Sequence, residues 1–519
     1  MQKLQWVVGS LVVALTGCGG DDTGSTEASG TGGQGSTGTT SVASSAPTTT
    51  GASETATGTG TSGGASNSQG MTTDEPTTAV TGTDPTVTDP TVTGTDPTAT
   101  STDATGTTAS STTSGVVPDT TTGTGDGTTG VGESSSGGED SSTGAPPPCE
   151  PGDMGMGGGM VEKSYIWISS HNLHELSKVD TVTMTELARY KTGPAAENPS
   201  RTAVSADGRF MVVNNRDTGR STMVAANVED CVDKNGNGKI DTSQNKANIL
   251  AFGADECVRW SVVLPFAGNH QSGPRGVTWT PGEWDYNLCK YVEPKVWVGY
   301  LAAGNVAHFA RIDGETGVVE ETLLAPGWKG QSGYGPYGAA LDPQFRPWFS
   351  SLRSEFIRVN TDENPITLTR ITPPANVQSY GMTIDQDGDA WFGGWTGPVT
   401  VYEQKNGTYT TIAGTEGGAH RGVAADENFV WAANNNPCGL VQVDRKARKL
   451  IAKHQTNPCS TAIGLSIDVE KNVWLVNQGG FAFKFAPDNV PGMVKVDVLG
   501  SHYVYSDMTG GQLLSILPQ

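Results

Sequence analysis

The chain has 519 residues, 54 acidic and 32 basic, for a formal net charge of −22. No Lys or Arg occurs between Lys3 and Lys163, and residues 19–150 hold 16 acids and no base, so most of the acidity belongs to one segment. This excludes nucleic-acid binding, which needs clustered Lys and Arg. It also excludes a polytopic membrane protein, since nothing approaches the run of about 18 apolar residues that a spanning helix needs.

In chain order, Met1-Gln2-Lys3 is a short basic start and Leu4 to Leu15 an apolar stretch interrupted by Gln5 and Ser10. It is too short to span a bilayer and about right for a signal-peptide core. Leu15-Thr16-Gly17-Cys18 follows and resembles the bacterial lipoprotein lipobox. The resemblance implies a signal peptide over 1–17 and diacylation of Cys18, whose thiol is the acyl acceptor. Each buried CH2 of the acyl chains contributes roughly 0.8 kcal/mol, enough for several chains to hold the protein on a membrane. Gly19 rather than Asp after the cysteine points to the outer membrane of a bacterial cell envelope, on its periplasmic face or the cell surface. Cysteine acylation makes the membrane itself the first expected partner.

Residues 18–150 carry the lipidated cysteine and a linker of Thr, Ser, Gly, Ala, Pro and Asp, with a short repeat in Thr83-Asp84-Pro85-Thr86, Thr88-Asp89-Pro90-Thr91 and Thr95-Asp96-Pro97-Thr98. Such a stretch buries too little surface to offset its ordering entropy. It is expected to be a disordered tether with a reach of about 60–70 Å.

Residues 151–519 read as globular and repetitive. Gly338, Gly381, Gly422 and Gly464 are 43, 41 and 42 residues apart, and each starts a run that ends in Asp342, Asp385, Asp426 or Asp468 before Trp348, Trp391, Trp431 or Trp474. A period near 42 with short alternating apolar runs means one four-stranded sheet per repeat. Longer units start near Thr202 and Gly276. The domain opens on a second-strand sequence, Tyr165-Ile166-Trp167-Ile168-Ser169, while Gly510 to Ile516 reads as a first strand with nothing after it. The expectation is an all-β, seven-bladed β-propeller in which the C-terminal strand completes the N-terminal blade. Closing the ring removes exposed sheet edges.

These motifs, Gly-x-x-x-Asp followed by Trp-x-x-Asn, resemble the virginiamycin B (streptogramin) lyase family and its NHL/YncE-like propeller relatives over about residues 160–519. The resemblance implies a carbon–oxygen lyase working with His, Glu and a divalent metal on one propeller face. At the matching positions before the strand starts this chain has Arg201, Arg275, Tyr337, Tyr380, Arg421 and Ile463. After the tryptophan strands it has Asn215, Tyr300, Ser351, Gly394, Asn434 and Asn477, and His420 is one residue off register. With no His/Glu set in place, the first expectation is a monomeric, non-catalytic propeller that binds a ligand or protein partner. A lyase or hydrolase at the same face is the alternative.

Strands one and two of a blade are antiparallel, so the start of one and the end of the other share a face. Arg201, Arg275, Tyr337, Tyr380 and Arg421 therefore lie with Asn172, Asn214, Arg216, Tyr300, Arg353, Trp395, Asn434 and Asn477. Three arginines at one radius need an anion. Either a carboxylate, phosphate or sugar ligand satisfies them, or the aspartates of the repeats do.

Six cysteines besides Cys18 allow 15 pairings. Local context favours Cys231–Cys257, closing the base of an insertion over 229–258, and Cys438–Cys459, which leaves Cys149–Cys289. Inside the insertion, Asp233, Asn235, Asn237, the Lys239 carbonyl and Asp241 match a calcium loop whose turn Gly238 permits. Gln244 stands where that loop has its bidentate Glu, so the expected cofactor is a weak, structural Ca2+, with Asp255 or Glu256 able to fold back as a replacement.

Overall fold

The computed structural model describes residues 164–288 and 290–515. The lipobox with Cys18, the linker, Cys149 and Cys289 lie outside the described residues.

The described residues form seven blade sheets and one two-stranded hairpin. Six have four strands each: β4 (Pro199–Val204) to β7 (Val258–Val263); β8 (Val277–Thr280) with β11 (Lys295–Ala302) to β13 (Val319–Pro326); β14 (Gly338–Leu341) to β17 (Thr367–Ile371); β18 (Met382–Ile384) to β21 (Thr408–Thr411); β22 (Val423–Ala425) to β25 (Lys449–Gln455); and β26 (Ala462–Ile467) to β29 (Val494–Asp497). The first sheet has three strands, β1 (Tyr165–Ser170), β2 (Glu175–Asp180) and β3 (Glu186–Lys191). Within each sheet the strands are antiparallel neighbours in chain order, save that a hairpin of β9 (Glu283–Asp285) and β10 (Lys290–Val292) is inserted after β8. The first strands β4, β8, β14, β18, β22 and β26 lie side by side around a central axis. This is the expected seven-bladed propeller.

The recurring glycine has a steric cause. A Cβ on Gly381 would stand 2.2 Å from the Arg421 carbonyl oxygen, and one on Gly464 would stand 2.2 Å from that of Val504. The Gly381 amide donates to Arg421 O at 3.1 Å and the Gly422 amide to Ile463 O at 2.9 Å. Neighbouring inner strands thus touch backbone to backbone at the channel, where only glycine fits.

The recurring aspartate and tryptophan form a pair. Trp348, Trp391, Trp431 and Trp474 donate their indole N–H to Asp342, Asp385, Asp426 and Asp468 at 2.8–3.0 Å. All four rings are fully buried between blades. Burial of each ring supplies apolar packing, and the carboxylate satisfies its one polar atom.

Ring closure occurs as expected, but at different residues. Gly510 to Ile516 is not the closing strand: Gly511–Leu514 is a one-turn helix. The preceding segment lines β1 instead. His502 bridges Ser170 antiparallel and Ser506 bridges Thr202 in parallel. Trp167 N donates to Met508 O at 2.9 Å, and Tyr503 N to Ser169 O at 3.3 Å. The apolar side chains that matter are Tyr503, Val504, Tyr505 and Met508, all buried. Asp507 then takes the amides of Thr509 and Gly510, and Gly510 at φ 84° turns the chain out of the sheet. The apolar Leu513 and Leu514 imitated a strand that this turn forbids.

The disulfides Cys231–Cys257 and Cys438–Cys459 are both formed, as expected. By the chain-entropy model, closing loops of this length is worth roughly 3 kcal/mol each.

Candidate ligand-binding face

The five residues of the predicted ring meet at one end of the channel, and the closing segment adds two tyrosines to them. Arg201 Nη2 donates to the Tyr505 hydroxyl. Its guanidinium lies 3.5 Å from the Tyr505 ring centre and 4.2 Å from that of Tyr337. Tyr503 links the hydroxyls: Tyr337 at 2.7 Å, Tyr380 at 2.8 Å and Tyr505 at 3.2 Å. Arg216 stands over Tyr503 at 4.2 Å, and Arg275 over Tyr334 at 5.0 Å. Burial pushes the Tyr505 phenol well above its ordinary range, against the pull of Arg201.

The aspartates of the repeats do not satisfy Arg201. Their oxygens are taken by the indoles and by Arg346, Arg445 and Lys484. Arg201 has no carboxylate within 4.0 Å among the described residues; aromatic faces and a hydroxyl hold it instead. Cation–π contacts in desolvated sites contribute about 2 kcal/mol, part of the cost of burying such a charge.

Arg201, Arg275, Tyr337 and Tyr380 are each 0 % exposed. They form a plug rather than an open ring. Of the five, only Arg421 reaches solvent, half-buried at the mouth. Beside it stand Trp395, from the loop after Ala390–Phe392, and Arg353, from the loop after Pro347–Ser350. Trp395 stacks on Tyr380 with ring centres 5.0 Å apart and planes 17° apart. The Arg421 guanidinium is 4.7 Å from Trp395 and 5.4 Å from Tyr380, and Arg353 is 5.9 Å from Trp395. Arg353 (φ 72°), Trp395 (φ 47°) and Ala419 (φ 49°) all adopt left-handed backbone. For a residue as bulky as tryptophan that is a true outlier, and each such residue costs roughly 1–3 kcal/mol.

His420 and Asn434 lie beneath this corner, 0 % and 1 % exposed. Trp395 N donates to His420 O at 3.3 Å. A Cβ on Gly418 would stand 2.1 Å from Asn434 Oδ1 and 2.3 Å from His420 Nε2, so both polar atoms converge on that glycine. Neither makes a hydrogen bond of normal geometry. Burial lowers the His420 imidazole to about 4, so it is neutral at pH 7.

A second pair on this face escaped the sequence reading. His270 Nδ1 lies 2.6 Å from Asp217 Oδ1, and Asn198 Nδ2 donates to Asp217 Oδ2 at 3.0 Å. Burial raises the Asp217 carboxyl, but the bonds from His270 and Asn198 outweigh it and hold it below the usual range. Sequence offered no signal for the pair, whose members come from loops of different blades.

On the opposite face, the insertion brings Asp233, Asn235, Asn237, Lys239 and Asp241 into one loop. Asp233 accepts the amides of Gly236 at 2.6 Å and Gly238 at 2.8 Å. Asn235 and Asn237 turn their Nδ2 atoms to Asp241 Oδ2 at 2.9 and 2.7 Å. Glu256, 2 % exposed, folds back beneath the loop and takes the amides of Lys234, Asn235 and Asp241. Asp255 is engaged elsewhere, by Thr242 and Ser243. Among the described residues no group of three or more His, Cys, Asp or Glu side chains is gathered tightly enough to hold a metal ion.

Strand order and this plugged channel define the class: a seven-bladed β-propeller with an arginine–tyrosine core at one channel end. No family model and no curated protein matches the chain. Among solved structures it is similar to virginiamycin B lyase from Staphylococcus aureus, at 12 % identity and a TM-score of 0.40, over 58 % of this chain and 84 % of that one. It is also similar to a putative 6-phosphogluconolactonase from Bacteroides uniformis, at 12 % identity and a TM-score of 0.45, over 66 % and 98 % of the two chains. AztD from Citrobacter koseri is another neighbour, at 9 % identity and a TM-score of 0.41, over 66 % and 97 %.

Proposed function

We propose that this protein is a lipid-anchored propeller of the bacterial cell envelope that binds a ligand or partner at its channel face without catalysis. One observation carries the binding: Arg353, Trp395 and Arg421 converge at the mouth, Arg353 and Trp395 each from the hairpin that follows the second strand of its blade. Two guanidiniums beside an aromatic face bind an anion through forked hydrogen bonds and ring contact. Cys18 and the charged tether support display of that face away from a membrane. The reading expects a bound ligand to be returned chemically unchanged; a turned-over ligand overturns it.

A second reading, a lyase or hydrolase on the same face, has the His270–Asp217 pair in its favour, since a carboxylate orients an imidazole for proton transfer.

The insertion is proposed to take Ca2+ weakly and structurally through Asp233, Asn235, Asn237, the Lys239 carbonyl and Asp241. The order of these residues along the loop supports it, and Glu256, folded back beneath the loop, braces it through the amides of Lys234, Asn235 and Asp241. Calorimetric titration should give heat with the wild type and none with Asp233→Ala; equal heats contradict it.

A further inference from the structure

The corner between the fifth and sixth blades carries features that general anion binding leaves unexplained. Arg421 is nearly equidistant from Trp395 and Tyr380, whose centres are themselves 5.0 Å apart. The triangle is close to equilateral, so Arg421 stands beside the two-ring stack. Trp395 is half-buried, so part of its indole meets solvent. Arg353 flanks that indole, with no carboxylate within 4.0 Å among the described residues and with its buried Nε lacking a hydrogen-bond partner. Below, Asn434 Oδ1 is buried without a partner, while the buried His420 ring lies against the Gly397 backbone.

We infer that this corner is a subsite for a uronic acid, a sugar ring bearing a carboxylate. It rests on the binding reading above. Each part of such a ligand answers one feature. The apolar face of the sugar ring lies on Trp395, because aromatic faces take up the C–H side of pyranoses without directional demand. The carboxylate lies between Arg353 and Arg421, whose planar forks match it. Inorganic phosphate has no face for the indole, and a neutral sugar leaves Arg353 uncompensated.

The test is calorimetric titration of the full chain with glucuronate, glucose and inorganic phosphate. Glucuronate should bind at least tenfold more tightly than either of the others. Arg353→Gln and Trp395→Asn should each weaken it at least tenfold; asparagine tolerates the left-handed backbone at that position. Arg353→Lys should lose less than Arg353→Gln, because it keeps the charge and loses only the fork. Melting curves of each variant check that it folds, and Arg311→Gln, on the third strand of another blade, should bind as the wild type. Equal binding of glucose, binding of phosphate alone, no binding of any probe, or glucuronate affinity unchanged in Arg353→Gln and Trp395→Asn overturns the subsite. Turnover of bound glucuronate would leave the subsite standing and overturn the non-catalytic reading instead.

Discussion

A chain ending at Gly500 should not fold to a cooperative domain. The missing residues, Ser501 onward, supply the inner strand of the N-terminal blade, and that strand is the only described segment from the C-terminal end that pairs with β1. Removing it withdraws Tyr503, Val504, Tyr505 and Met508 from the core, each worth roughly 1.5–3 kcal/mol of burial. It also uncovers Ile166, Ile168 and Val476, opens the edge of β1, and strips Arg201 of its hydroxyl partner. The summed loss is comparable to the whole stability of an ordinary domain, 5–15 kcal/mol by the usual range of about that size. Near-ultraviolet circular dichroism and size-exclusion chromatography should show lost tertiary signal and aggregation. A soluble protein melting within a few degrees of the full chain contradicts closure by this segment. Ending the chain at Ser515, which keeps the closing segment and the turn beyond it, should have little effect by comparison.

Mild acid should be the second strongly destabilising condition. His420 and His502 are both 0 % exposed, and burial lowers each imidazole to about 4. In the unfolded chain the same groups titrate near the ordinary value of about 6.5. Between those values the unfolded state binds more protons than the folded state. Stability is therefore complete above pH 6.5 and falls as pH drops toward 4. At one pH unit per 1.36 kcal/mol, two such groups remove roughly 5 kcal/mol by pH 4.5. Asp217 and Asp387 are held below the usual carboxylate range and Asp313 at about 2, so their stabilisation is lost at lower pH than that of the histidines. Urea denaturation at pH 7 and 4.5 measures the difference. His502→Asn should flatten it by about half, because the amide can still donate to the Asn477 carbonyl that the ring nitrogen now meets at 2.8 Å. A wild-type midpoint unchanged between the two pH values contradicts the account.

The architecture was readable because its physical causes repeat. Close strand contact demands glycine at one position per blade, and the indole N–H demands an aspartate, so both recur near every 42 residues. The closing segment carries neither sign: Val504 stands where a repeat would have glycine, and its tryptophan partner, Trp167, lies at the other end of the domain. The period itself would have found it, since one further step of about 42 residues beyond Gly464 falls at Ser506. Misplacing that strand hid Tyr503 and Tyr505, and with them the reason four of the five ring residues are sealed. Arg353 and Trp395 were placed on the correct face by the antiparallel pairing of strands one and two. Their left-handed backbone, the orphaned Asn434 Oδ1, and the His270–Asp217 pair depend on loop conformations that no local pattern encodes.

The central claim, a channel mouth that binds and does not transform, is tested most directly by following ligand and protein in one sample. Nuclear magnetic resonance of the full chain, labelled with nitrogen-15, gives the Trp395 indole signal, identified by its loss in Trp395→Asn, while proton spectra report the ligand. On titration with glucuronate the Trp395 indole should shift saturably, the fully buried indoles of Trp348, Trp391, Trp431 and Trp474 should stay in place, and glucuronate should be recovered intact. The same holds for a streptogramin-type cyclic depsipeptide with magnesium, whose ring should remain closed. A ring-opened product, or a Trp395 signal that no titrant moves, contradicts the account.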